Sequence, residues 1–94
     1  MRVVTPKAIH TYAAAHPDAA TSLDLWLQTT KRATWQNLAE VRNDFRHADL
    51  LGRRTIFNIA GNKYRMITRI NYQRQIVYVL HILTHGEYDK GAWK

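Results

Sequence analysis

The chain has 94 residues, with 14 Lys and Arg against seven Asp and Glu, five His and no Cys, and a formal net charge of +7. That length leaves room for one domain with a small core, and the lack of cysteine excludes a disulfide framework, thiolate metal sites and thiol nucleophiles. An apolar fraction of 46% argues against wholesale disorder, and no apolar run reaches the ~20 residues that cross a bilayer.

His10, Thr11 and Tyr12 interrupt the stretch between Arg2, Lys7 and Ala13 to Ala15 that would otherwise suggest a secretory signal. A cytoplasmic location, with no membrane partner, is therefore the expectation. The charge excess favours an anionic partner, nucleic acid being the commonest. The alternative is a basic surface that keeps the protein soluble or docks an acidic protein.

In chain order, residues 2–4 (RVV) are a short strand candidate. Thr5-Pro6 reads as N-cap and first residue of a helix carrying Ile9, Tyr12, Ala13 and His16 at helical spacing. Pro17 ends it, and Asp18 is placed to cap a second helix with Leu23, Trp26, Leu27 and Thr30 inward. Together they suggest an antiparallel helical hairpin. Residues 34–45 suggest a short third helix capped by Thr34, with Leu38, Val41 or Arg42, and Phe45 on its inner side. Residues 46–54 (RHADLLGRR) read as a connecting loop turning at Gly52.

The period then changes. Segments 55–60, 63–72 and 75–83 are rich in Ile, Val, Tyr and Phe and are separated by Gly61-Asn62 and Gln73-Arg74, which predicts an antiparallel three-stranded meander. In the middle strand Tyr64, Met66, Thr68, Ile70 and Tyr72 share the face to be buried under the helices. Arg65, Ile67, Arg69 and Asn71 share the open face. The fold class is α+β: a small antiparallel sheet of the N-terminal strand and the meander, packed against the helical hairpin and the third helix, in one domain over 1–94.

His81 and His85 stand four apart, a zinc-pair spacing on a helix. On a strand it separates them by ~13 Å, too far for one ion, so no metal site is expected. Gly61-Asn62-Lys63 lacks the glycine-rich pattern that opens a helix under a phosphate and reads as a hairpin turn. Arg65 and Arg69 lie ~13 Å apart on one face, about two nucleotide steps. Arg53, Arg54 and Lys63, near the ends of neighbouring strands, would widen this into a stripe.

After the last strand comes Thr84-His85-Gly86-Glu87-Tyr88-Asp89. His85 can exchange protons near neutrality, Glu87 can act as a base, and Tyr88 can stack on a nucleobase or orient a phosphate. Equally, Thr84-x-x-Glu87 is a capping box for a helical turn. Both readings satisfy the local rules.

Two segments, TIFNIAGNKYR (55–65) and VYVLHILTHGEYDKGAWK (77–94), resemble the HigB family of type II toxins within the RelE/ParE-like group. The resemblance extends upstream through residues 33–52. It rests on Phe57, Asn58, Gly61, Asn62 and Arg65 in one element and Thr84, His85, Glu87, Tyr88 and Asp89 in the other. It implies a RelE-like fold and an mRNA endonuclease acting on ribosome-bound message. It also implies a helix-turn-helix, HigA-like antitoxin as partner. One departure is Leu80, where relatives often carry a basic residue; a phosphate role there would pass to Arg69, His81 or Lys90.

The cleavage that would follow needs no cofactor, because the RNA's own 2′-hydroxyl is the nucleophile. The expected catalytic set is Arg65, His85, Glu87 and Tyr88, and the expected RNA-binding set is Arg53, Arg54, Asn62, Lys63, Arg69 and Lys90. The competing readings are a non-catalytic basic module binding RNA or protein, and a gyrase-poisoning ParE-like toxin.

Overall fold

Apolar side chains at helical spacing in the first third and at alternate positions in the last half must bury against one another, and the fold follows from that demand. A computed structural model describes all 94 residues. Its elements are β1 (Arg2–Val4), α1 (Pro6–Ala15), a 3-10 turn (Pro17–Ala19), α2 (Ala20–Arg32), α3 (Leu38–Asp44), β2 (Asp49–Leu51), β3 (Arg54–Ile59), β4 (Tyr64–Asn71), β5 (Ile76–Thr84) and α4 (His85–Lys90). The α+β expectation holds, and no helix is long and apolar enough to cross a membrane.

The sheet has five strands in the order β1-β5-β4-β3-β2. The meander β3-β4-β5 is antiparallel, as its turn signals demand, but β1 runs parallel to β5, with Val3 beside Val77. The sheet is therefore mixed rather than antiparallel. A strand followed by helices can return to the same sheet in this way only through a long crossover. β2 is the second correction: Asp49 to Leu51, read as loop, pair with Arg54 to Ile56 around Gly52, whose φ of +61° closes the turn. A three-residue, fully exposed edge strand leaves no alternation to read.

Three local assignments also shift. Asn37, not Thr34, caps α3, accepting the Glu40 amide at 3.0 Å while Glu40 Oε1 accepts from the Gln36 amide. Asp18 does not cap α2; its carboxylate accepts the Tyr64 hydroxyl at 2.8 Å. In the β3–β4 hairpin the left-handed residues are Ala60 and Gly61, leaving Asn62 free to use its side chain elsewhere.

The core lies between the hairpin α1-α2 and one sheet face. Ile9, Leu23, Trp26, Leu27, Val41, Phe57, Met66 and Val77 are all buried there, each contributing about 1.5–3 kcal/mol of transfer free energy. Trp26 meets Phe57 edge-on at 5.4 Å. From β4, Tyr64 and Met66 enter this core, with Ile70 and, just past the strand, Tyr72 at its margin.

The opposite face departs from expectation. Ile67 is not exposed between the arginines. It is wholly buried in a second, smaller cluster with Ile56 and Trp93, flanked by Leu83 and Tyr88. The tail after α4 folds back over this face and seals it.

Candidate RNA-cleavage site

α4 begins where β5 ends because Thr84 forms a complete capping box. Its hydroxyl accepts the Glu87 amide at 3.1 Å, and Glu87 Oε1 accepts the Thr84 amide at 2.9 Å. Those bonds to the charged form hold the Glu87 carboxyl below its ordinary value of 4.5. Glu87 is thus ionised and already bound to main chain. Its field reaches toward α1, where burial above all, with Glu87 next, pushes Tyr12 up to about 12.

A main-chain bond fixes the site's frame: the His85 amide donates to the Lys63 carbonyl at 2.8 Å. It joins the first residue of α4 to the β3–β4 hairpin, so Asn62, Lys63 and Arg65 meet His85 and Tyr88. Arg65 Nη2 donates to Asn62 Oδ1 at 2.6 Å, and its guanidinium lies over Tyr88, 5.5 Å from the ring centroid. Asn58 stands opposite Arg65 on β3. On α4, His85 Nε2 is 3.1 Å from Asp89 Oδ2, one helical turn on, while Nδ1 is buried without a protein partner. Both side chains of this pair are partly open to solvent.

The remaining expected residues lie elsewhere. Arg53, Arg54 and Arg69 line a groove of about 530 Å³ at the other end of the open face, with Lys94, Leu51, Leu80 and Trp93. Lys90 stands exposed in the last turn of α4, in neither group. Leu80 projects into the groove, and His81 sits opposite Ile67.

Trp93 connects the two ends and had no sequence signal beyond being a lone aromatic after a glycine. It stacks on Tyr88 at 5.0 Å and 18°, donates Nε1 to the Tyr88 carbonyl at 2.9 Å, and carries the Arg54 guanidinium 5.6 Å from its ring. Arg65, Tyr88, Trp93 and Arg54 therefore form one column across the face, two stacked rings held between two guanidiniums. Such contacts contribute about 0.5–1 kcal/mol each when exposed.

This pairing of a basic hairpin with a capped His-Glu-Tyr-Asp turn has a counterpart among known proteins. Residues 19–91 match the model of the HigB toxin family, described as the RelE-like toxic component of a toxin-antitoxin system. The chain belongs to the HigB toxin family. Membership implies an antitoxin as partner.

Curated relatives agree over nearly the full length. An mRNA interferase toxin HigB of Escherichia coli (strain K12) is 26% identical over 92 residues, covering 95% of this chain and 88% of the relative. An mRNA interferase HigB of Shigella flexneri matches to the same extent. One from Escherichia coli O6:H1 is 27% identical over 93 residues, covering 96% and 90%. The HigB family match takes in both elements of the Arg65 cluster and stops short of Trp93.

Proposed function

We propose that the protein is an mRNA endonuclease, the toxin of a toxin-antitoxin pair, which cuts message on the ribosome and so inhibits translation. The observation that supports this most directly is the convergence of Arg65, Asn62, Tyr88 and the His85–Asp89 pair at one end of the open face. The names of the curated relatives point the same way.

Cleavage by the 2′-hydroxyl requires a base for its proton, positive charge on the crowded phosphate and an acid for the departing 5′-oxygen. The oxygen–phosphorus bond to the 2′-oxygen forms as that to the 5′-oxygen breaks, leaving a cyclic phosphate and a 5′-hydroxyl. Arg65 holds the phosphate, with Lys63 adding charge and Asn62 fixing the guanidinium plane. His85 exchanges the proton through Nε2, displacing Asp89, and Tyr88 positions the RNA. Glu87 serves this chemistry indirectly, by holding the turn. Arg53, Arg54 and Arg69 extend the positive field along the face.

On this reading arginine and lysine supply the positive charge on the phosphate. Such preorganised charge is typically the largest catalytic contribution, and each proton transfer adds about 10²–10⁴ in rate. Mapping message 5′ ends after induction is the test. Codon-linked cuts that persist in EDTA are the expected result; intact messages, or cuts that require added Mg²⁺, would overturn the mechanism.

A further inference from the structure

The open face carries a second feature of different chemistry from the Arg65 cluster. In the groove beside Trp93, Leu51 and Leu80 are 43% and 41% exposed, and Tyr78, near Leu80 on β5, is 38% exposed. Leu80 is aimed there by a β-bulge: Val79 pairs with Thr68 and His81 with Ile67, so Leu80 is the extra residue. Bulges re-aim side chains in this way, and they concentrate at functional edges.

The charged side chains that line the same groove are all cationic, Arg53, Arg54, Arg69 and Lys94, with no acidic side chain among them. Thr55 pairs with Thr68, so extending the register by one residue sets Arg54 beside Arg69. Like charges directly opposite on neighbouring strands are unfavourable, and neither arginine has an acidic partner, Arg54 donating one Nη1 bond to the Trp93 carbonyl at 3.2 Å.

Single-stranded RNA is bound through free aromatic faces and guanidinium planes. The groove's tryptophan offers no such face, being 8% exposed with Tyr88 stacked on its ring and Arg54 over it, and the nearest open ring, Tyr78, lies beyond the groove's lining. Half-exposed leucines gain nothing from phosphate or ribose. They gain from burial against aliphatic side chains, and Leu51 on β2 and Leu80 on β5 flank the arginines of β3 and β4 across the groove, so its lining suits an occupant that carries both apolar and acidic side chains.

We infer that this groove docks an acidic segment of the antitoxin, whose aliphatic side chains cover Leu51 and Leu80 and whose carboxylates pair with Arg54 and Arg69. The inference rests on family membership, which implies the antitoxin, and is independent of the cleavage chemistry. The carboxylates relieve the repulsion between the two arginines, which makes the contact salt-sensitive.

The test compares the parent with Leu51→Ser/Leu80→Ser. Calorimetry follows binding of the co-expressed antitoxin, and fluorescence anisotropy follows binding of a labelled RNA oligonucleotide. Both leucines are exposed, so the melting temperature should hold. Antitoxin binding should weaken by ~10-fold or more, as for buried interface anchors, with RNA binding unchanged. Parent-like antitoxin binding would overturn the inference, and an equal loss of RNA binding would reassign the groove to RNA. Hydrogen exchange on the unmutated complex supplies a second reading: protection of residues 49–54 and 78–81 supports the dock, and its absence refutes it.

Discussion

Arg65 and Tyr88 come from separate ends of the C-terminal half, and the Arg65 guanidinium lies over the Tyr88 ring, 5.5 Å from its centroid. The arginine is also tied to Asn62 at 2.6 Å, so its plane is set before any substrate arrives. A preset guanidinium gives planar, two-pronged recognition of phosphate that a lysine cannot reproduce.

Arg65→Ala should therefore abolish growth arrest, with cleavage reduced by roughly 10²–10³ as for loss of one preorganised donor. Arg65→Lys should recover only a small part of it. Neither should unfold the protein, since the residue is half-exposed and its bonds are confined to the hairpin. Toxicity assays with parallel circular-dichroism melts would decide; a fully toxic alanine variant would remove Arg65 from the mechanism.

Tyr88 contributes its ring to both Arg65 and Trp93, while its hydroxyl makes no hydrogen bond within the protein. Tyr88→Phe should keep the column and most of the activity. Tyr88→Ala should lose the stack, costing about 0.5–1.5 kcal/mol beyond lost burial, and should disorder Arg65. If the phenylalanine variant were as impaired as alanine in single-turnover cleavage, the hydroxyl and not the ring would be the working part.

Trp93 seals Ile56 and Ile67. Trp93→Ala should cost about 3 kcal/mol by opening that small cluster, lowering the melting temperature by more than about 10 °C for a chain of this size. Trp93→Phe, which keeps a ring on Tyr88, should cost far less. Thermal melts of the two variants would settle the matter, and equal melting temperatures would mean the tail is merely draped over the sheet.

The capping box makes a prediction with a definite sign in pH. The Glu87 carboxyl is held below 4.5, first by its bond to the Thr84 main chain. Its stabilising contribution is complete above that value and disappears as pH falls through the lower folded value. Glu87→Gln should therefore flatten the stability curve below about pH 4.5 and change little in its slope above. Thr84→Ala should cost about 1 kcal/mol at neutral pH. Urea titrations across pH 3 to 7 would check both, and an unaltered acid limb in the glutamine variant would show that Glu87 does not hold the turn.

His85→Ala should lower cleavage by about 10²-fold or more, as expected for a lost proton-transfer group. Asp89→Asn should leave the ring in place and produce a smaller loss. An unchanged rate in both would leave proton transfer to groups outside α4.

Strong periodicity and punctuation made much of this fold legible. Pro6, Pro17 and the Ile-, Val- and Tyr-rich runs placed α1, α2 and the meander, and Thr84-x-x-Glu87 announced α4 three residues in advance. What escaped depended on partners remote in sequence. The parallel pairing of β1 with β5 and the assignment of β2 are set by tertiary closure. So is the burial of Ile67, because an apolar residue on an arginine-bearing face looks solvated until Trp93, 26 positions on, lands upon it. The site divided in the same way. The sequence joined Arg65 and Arg69 in one stripe with Arg53, Arg54 and Lys63 and set it beside His85 and Tyr88, whereas in the fold Arg65 lies with Asn62 and Tyr88 and Arg53, Arg54 and Arg69 line a separate groove whose leucines gave no signal.

The bond from the His85 amide to the Lys63 carbonyl belongs to the backbone, so it survives any exchange of the side chains around it except proline at 85. Together with the capping box, it makes the junction of hairpin and helix a socket whose shape is independent of what is mounted in it. Drift among its reactive side chains can then retune which RNA is cut without refolding the support. Conversely, Lys63 and His85 could each be replaced and still be felt by their neighbours as the same two points in space.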